Sequence, residues 1–390
     1  MQIQRYLSKR IVEDLSQKMV FIGGPRQVGK TTLAKELISK EFESSFYFNW
    51  DYSPDRKKIM KSELPGDSGL LIFDEIHKFK KWKTTIKGIF DTYSTKYQIL
   101  ITGSARLNIY RRGGDSLMGR YHYYTLHPFS HAEILAISSK VAPFEELPIS
   151  TSYFSSELQS LYKFGGFPEV LIMQDERELR RWHNERLDRL FKEDIRDVEN
   201  IRDINSIMML GDLLPEKVAS PLSINSIRED LEVSHRAISN WFTILETFYY
   251  HFRIYPFHSR KIRSLKKEPK LYLYDWSEVK NDGAKFENMI AVHLLKFVKF
   301  LEESEGYKIT LNYLRNIDKK EVDFLISVNN KPWFAVEVKL NEDSPDPNLK
   351  YFRDRLEIPF IYQVIKKENT DLLRDGIRVI SASKFLTGLI

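Results

Sequence analysis

Met19-Val20-Phe21-Ile22-Gly23-Gly24-Pro25-Arg26-Gln27-Val28-Gly29-Lys30-Thr31-Thr32-Leu33 decides the reading of the chain. Met19–Ile22 is an apolar run of strand length. Gly24 to Thr31 fits G-x-x-x-x-G-K-[ST], and a helical pattern over Lys30–Lys40 follows. Strand, glycine loop and helix in that order predict a phosphate cradle. Glycines let backbone N–H groups turn inward, and the helix N-terminus adds partial positive charge. Lys30 is expected at the β- and γ-phosphates, and the Thr31 hydroxyl at a magnesium ion. The expected ATP-binding residues are Gly24, Pro25, Arg26, Gln27, Val28, Gly29, Lys30, Thr31 and Thr32.

Leu70-Leu71-Ile72-Phe73-Asp74-Glu75 supplies the complementary half. It reads as a buried strand whose Asp74 holds magnesium and whose Glu75 polarises an attacking water, which favours hydrolysis over simple binding. Gln98–Thr102 is another apolar strand, and Gly103-Ser104 follows it. A hydroxyl there either senses the γ-phosphate or caps the next helix, and both roles are compatible. Arg120, after Gly119, is either a surface arginine or a cation reaching a neighbouring subunit's phosphates. With Phe46–Trp50 and Tyr121–Leu126, these strands alternate with helical patterns such as Trp82–Tyr93. That alternation predicts an α/β fold with a parallel sheet covered on both faces.

Gly23 to Leu33, Asp74-Glu75-Ile76-His77-Lys78, Ile101 to Ser104 and Leu117-Met118-Gly119-Arg120 carry a family resemblance, as do Tyr124–Ser130 and Phe164-Gly165-Gly166-Phe167-Pro168-Glu169. The chain resembles, over nearly its whole length, prokaryotic AAA-type P-loop ATPases with a C-terminal uncharacterised domain. The resemblance implies that Ser104 is the sensor and Arg120 a trans-acting finger in a homo-oligomer. Lys78 to Lys83 is more basic than the family pattern.

The expected organisation is an ATPase core over 1–130, a helical lid over 131–222, a winged-helix element over 223–258 and a second α/β domain over 259–390. In the third segment, Ile224–Leu231 and His235–Tyr250 have helical spacing around a turn at Glu232–Ser234. Arg253–Pro256 reads as a wing strand. His235, Arg236 and Asn240 then face outward, either toward a DNA major groove or toward a protein partner. The basic strip Arg260–Lys270 is either a solvated linker or a phosphate-contacting segment.

Glu287, Asp323, Glu337 and Lys339 form the second candidate site. Glu337 and Lys339, two apart on a strand, share a face. Across a hairpin with a three-residue loop, Asp323 falls opposite Glu337. A two-residue loop puts them on opposite faces unless a bulge intervenes. Glu287 lies in the apolar stripe of helix Lys285–Leu301, where an unpaired carboxylate is costly. Asp323 and Glu337 can bind magnesium, with Lys339 positioning water. The order helix-Glu, strand-Asp, strand-Glu-x-Lys resembles the PD-(D/E)XK nuclease superfamily, although Val322 stands where a proline often precedes the Asp. The resemblance implies a restriction-endonuclease-like fold and DNA or another nucleic acid as partner. A buried ion-pair network without cleavage is the competing reading.

Composition bounds these readings. With 390 residues, 42% hydrophobic and 29% charged, the chain is a multi-domain globular protein. Sixty Lys+Arg against 54 Asp+Glu give a mild basic excess. The lack of cysteine excludes disulfides and thiolate–zinc sites and fits a cytoplasmic location. No secretory pattern opens the sequence. The most apolar stretch, Met289–Leu301, is interrupted by His293, Lys296 and Lys299, so no membrane span is expected. Three function classes remain: an ATPase coupled to a nuclease-like domain, a regulatory ATPase with a silent C-terminal domain, and an ATP-responsive DNA-binding regulator.

Overall fold

The structure, a computed structural model, describes residues 3–103, 107, 117–152, 154–195, 204–258 and 268–390. Two compact units divide the chain, residues 1–128 and 129–390.

The first unit is built on five parallel strands: β1 (Met19–Gly23), β2 (Ser45–Asn49), β3 (Gly69–Asp74), β4 (Tyr97–Thr102) and β5 (Tyr121–Thr125), ordered β2-β3-β4-β1-β5. β1, β3 and β4 are almost continuously apolar and buried, as central parallel strands covered on both faces must be. Helix Trp82–Tyr93 puts Trp82, Ile86 and Ile89 on one buried face, and Trp82 packs 5.9 Å from Phe21 of β1. The segment after the glycine loop differs from the single helix expected over Lys30–Lys40. An α-turn at Lys30–Thr32 widens to a π-turn at Leu33–Ile38 and tightens to a 3₁₀ turn at Ser39–Glu41. Leu33 and Ile38 are five residues apart and both buried. A π-turn, with its i→i+5 bond, brings them toward one face, which an α-helix would not.

The second unit begins with helices, including Ser155–Phe164, Glu176–Arg189, Ile224–Asp230 and His235–Thr247. Ser223 and Ser234 cap the last two. Eight strands follow: β6 (His251–Pro256), β7 (Lys270–Leu273), β8 (Ile309–Arg315), β9 (Glu321–Val328), β10 (Lys331–Lys339), β11 (Phe360–Ile365), β12 (Asp371–Arg374) and β13 (Ile377–Ser381). They form one mixed sheet, β12-β13-β11-β10-β9-β8-β6-β7. β6 pairs with both β7 and β8, so the strand expected as a wing belongs to this sheet, which crosses the boundary that the sequence places at 258. Phe352, Ile361, Val379 and Leu325 are among the core residues that helix Pro347–Leu356 and the sheet share. Helix Asp282–Glu305 starts at an Asn281 cap and ends at Gly306 with φ 73°.

The β9–β10 hairpin fixes the second candidate site. Asn329 and Asn330, at φ 51° and 61°, make a two-residue turn of the type that suits a tight hairpin. Left regular, it would place Asp323 and Glu337 on opposite faces. A register shift between Pro332 and Phe334 restores them to one face, with Val336 paired to Phe324. The loop is therefore two residues rather than three, and the bulge at Trp333 compensates.

Candidate functional site

At the C-terminal edge of the first sheet, Asn49, Asp74 and Thr102 are register partners, and Ile22 aligns with Thr102. The glycine loop leaves β1 at this row. Its backbone turns through Gly24 at φ 132°, Gln27 at φ 60° and Gly29 at φ 94°. A side chain at Gly24 would put its Cβ 2.4 Å from the Leu126 carbonyl, so glycine is required there. Lys30 Nζ donates to the Gly24 and Pro25 carbonyls at 3.1 and 2.6 Å, holding its ammonium over the loop.

Asp74 is buried and accepts three hydroxyl bonds: Thr31 Oγ1 at 2.8 Å, Tyr47 OH at 2.7 Å and Thr102 Oγ1 at 2.5 Å. Burial, then the Asp74 carboxylate, push the Tyr47 phenol well above its usual range, so it stays a donor. Thr31 and Asp74, oxygen donors in contact and beside the loop, are the pair that would hold magnesium, and their chemistry fits it. Thr31 and Thr32 are exposed at the helix start. Glu75 sits at φ 57°, a conformation non-glycine residues rarely adopt. Lys78 Nζ lies 3.4 Å and His77 Nε2 3.6 Å from its carboxylate. Arg120 is spent on a two-point contact with Asp91, at 2.7 and 3.2 Å, within its own unit. Ser104 lies outside the described residues.

Arg5, unremarked in the sequence, is buried and donates to the carbonyls of Val28 at 2.8 Å and His127 at 2.5 Å. It ties the loop to the segment after β5. No local pattern signals this, because the partners are 23 and 122 residues away.

In the second unit, Glu287, Asp323, Glu337 and Lys339 do come together, with a member the sequence reading left in the basic strip. Lys270, 2% exposed, lies 2.7 Å from Glu321, 2.9 Å from Asp323 and 3.3 Å from Glu287. Tyr272 donates to Glu287 at 2.7 Å. Lys339 pairs with Glu337 at 2.9 Å and Asp346 at 3.1 Å. Burial, then Asp323, push Glu287 up to about 7 and Glu337 up to about 9. Burial opposes the charge of Lys270, but Tyr272, Asp323, Glu287 and Glu321 hold it well above the usual lysine range. A useful signal was present: Lys270 and Tyr272 are two apart on a strand and so share a face.

Among the described residues, the group whose ligand atoms converge closely enough for a metal is a different one, His183, Asp275 and Glu278. Arg186 already lies 2.7 Å from Glu278 and 3.5 Å from Asp275. Phe167 and Trp182 flank its guanidinium at 4.5 and 5.3 Å, so a fixed protein cation fills that place. Gly165 of the Phe-Gly-Gly-Phe motif packs here, where a Cβ would stand 2.6 Å from Asp275.

The exposed residues His235, Arg236 and Asn240 lie on helix His235–Thr247 as expected. The strip over 259–267 lies outside the described residues, and among those that are described no helix is long and apolar enough to cross a membrane.

Known proteins place these features in context. Residues 16–135 match the AAA domain family, while 155–278 and 282–385 match two domains of unknown function, DUF8612 and DUF4143. An uncharacterised protein of Methanocaldococcus jannaschii is 27% identical over 88% of this chain and 80% of its own length. A second from the same organism is 23% identical over 87% and 79%. Among solved structures, the Aeropyrum pernix ORC1 protein in complex with DNA matches at TM-score 0.35 and 14% identity, covering 75% of this chain and 95% of its own. The Thermotoga maritima RuvB Holliday junction branch migration motor matches at TM-score 0.28 and 17% identity, covering 63% and 87%. These two likenesses are too distant to carry an argument. The family match stands on its own: an AAA-type ATPase-like domain occupies residues 16–135.

Proposed function

We propose that the chain is a magnesium-dependent ATPase whose C-terminal domain is nuclease-like and interacts with nucleic acid. The observation that carries the ATPase reading is the row at the sheet edge, where Thr31 meets Asp74 at 2.8 Å beside the glycine loop. Magnesium bound with the nucleotide would offset phosphate charge. Thr31 and Asp74 would hold it, and Lys30 would leave the loop carbonyls for the β- and γ-phosphates. Glu75, freed from Lys78, would orient water for attack. ATP binding would order the helical region over 131–222 and the helix pair Ile224–Asp230 and His235–Thr247.

Turnover by the purified chain, measured with Lys30→Ala and Asp74→Ala variants, tests this. Both should lower hydrolysis by about a hundredfold or more, and turnover near the parent's in either would place the site elsewhere. If Arg120 acts in trans within a homo-oligomer, Arg120→Ala should bind ATP normally and hydrolyse it slowly. Mixing with Asp74→Ala should then restore part of the rate. The Asp91 contact means that Arg120 must first change partners.

A second reading is favoured by one observation. Lys270 sits among the acidic side chains on which metal-dependent cleavage would rely. A regulatory ATPase with a C-terminal domain that binds without cutting fits that better. Magnesium- or manganese-dependent cleavage of plasmid or single-stranded DNA, lost on Asp323→Ala or Lys339→Ala, would decide for the nuclease. An ATP-responsive DNA regulator would instead show sequence-preferring duplex binding lost on Arg236→Ala.

A further inference from the structure

We infer that Lys270 is the resident cation of the acidic group Glu287, Glu321 and Asp323, and that it holds the Asp323 oxygen which a divalent metal shared with Glu337 would need. Every carboxylate oxygen of the two expected metal ligands is already engaged. Asp323 Oδ1 is 2.9 Å from Lys270 Nζ, and Oδ2 accepts the Val338 N–H at 3.0 Å. Glu337 Oε1 is 2.9 Å from Lys339 Nζ, and Oε2 accepts the Asp323 N–H at 3.2 Å. The Lys270 ammonium draws in three acids from two elements: Glu287 from helix Asp282–Glu305, and Glu321 and Asp323 from β9. Glu321 and Asp323 are two apart and share a face.

An ammonium has three donors, and here each has a carboxylate within 3.3 Å. Magnesium needs several oxygens at about 2.0–2.1 Å in near-octahedral order. An ion shared by Asp323 and Glu337 would have to take Asp323 Oδ1 from Lys270 and Glu337 Oε1 from Lys339. Lys270 has little freedom to leave, because it is 2% exposed and anchored in β7 with the Tyr313 ring 5.8 Å away. The cluster therefore needs no metal to be stable. The nuclease-like reading enters only in naming Asp323 and Glu337 as the carboxylates that a metal would use.

The test uses the full chain without nucleotide, carrying Asp74→Asn so that the first unit contributes no metal site. Mn²⁺ uptake is measured by the loss of its free-ion resonance, alongside Tm. The parent should take up no Mn²⁺ tighter than about 1 mM, and its Tm should ignore the ion. Lys270→Met should lower Tm by about 10 °C, since a buried acid cluster loses its counter-charge. Mn²⁺ should recover much of that loss, with affinity at least tenfold above the parent's, and adding Asp323→Asn should abolish the gain. Lys270→Met with Glu287→Gln should regain stability without metal, which keeps the test informative if the single variant folds poorly. One Mn²⁺ per parent chain, lost on Asp323→Asn, would overturn the inference. So would a double variant no more stable than Lys270→Met together with no response of Lys270→Met to Mn²⁺. A Lys270→Met chain that gains the metal yet cuts no DNA would leave the inference standing and remove the nuclease-like reading. A parent that binds metal and cuts would do the reverse.

Discussion

Asp74 and Asp323 are both buried carboxylates at strand positions, yet their partners differ in kind. Asp74 is held by three neutral hydroxyls, from Thr31, Tyr47 and Thr102. Asp323 is held by a buried ammonium and a backbone N–H. Neutral donors fix a carboxylate without cancelling its charge, so it can still attract an incoming cation. A lysine cancels that charge from within. The first arrangement suits a site that waits for a metal–nucleotide complex, and the second suits one that is complete as folded.

The largest expected effect breaks this comparison directly. Asp323→Ala strands Lys270 among fewer counter-charges and should cost about 3–5 kcal/mol of the second unit's stability. Asp74→Asn keeps the shape of its side chain, and hydroxyls can rotate to suit an amide. It should change stability by only about 1 kcal/mol while removing ATP turnover. Chemical denaturation of both variants checks the contrast. Equal losses would mean that the two carboxylates are structural in the same way.

Next in size is catalysis. Lys30→Ala removes the ammonium that the loop carbonyls now hold, and turnover should fall by about 10²–10³-fold. Lys270→Met should leave turnover at the first site within about twofold in chains that remain folded, if the second cluster takes no part in hydrolysis. A steady-state phosphate-release assay reads both. A matching collapse in Lys270→Met would tie the two acid sites to one activity.

What sequence alone delivers follows the range of the interaction. The strands of the first unit are continuous apolar runs, and the glycine loop has its chemistry in consecutive residues, so both are legible. Asp74 is legible because it ends such a run. Tyr47 is not, because nothing local to β2 shows that its hydroxyl points at β3. Arg5 is hidden for the same reason. The hairpin register shows the limit most clearly: apolar alternation is equally compatible with either loop length, and one bulged residue, Trp333, decides which face Glu337 occupies. Lys270 is hidden by its neighbours in sequence, since a run of basic residues reads as a solvated strip while its last member, Lys270, opens a buried strand.

Acid titration probes the second unit through a smaller effect, because that unit also buries bases in neutral form. Burial depresses His131 to about 4, His251 to about 3 and His293 to about 3. An unfolded histidine titrates near 6.5, so below that pH the unfolded chain binds protons that the folded chain refuses. The stabilisation is complete above about 6.5 and is lost as pH falls toward the folded values. Each histidine contributes a slope of at most about 1.4 kcal/mol per pH unit. His131→Phe should remove one such contribution between about pH 6 and 4.5, where the ring already packs edge-on to Phe154 at 6.4 Å. Stability measured by urea unfolding across that range should show the shallower slope. An unchanged slope would mean that His131 takes up its proton without unfolding. The acid sensitivity of the unit would then rest on its other buried neutral histidines, His251 and His293.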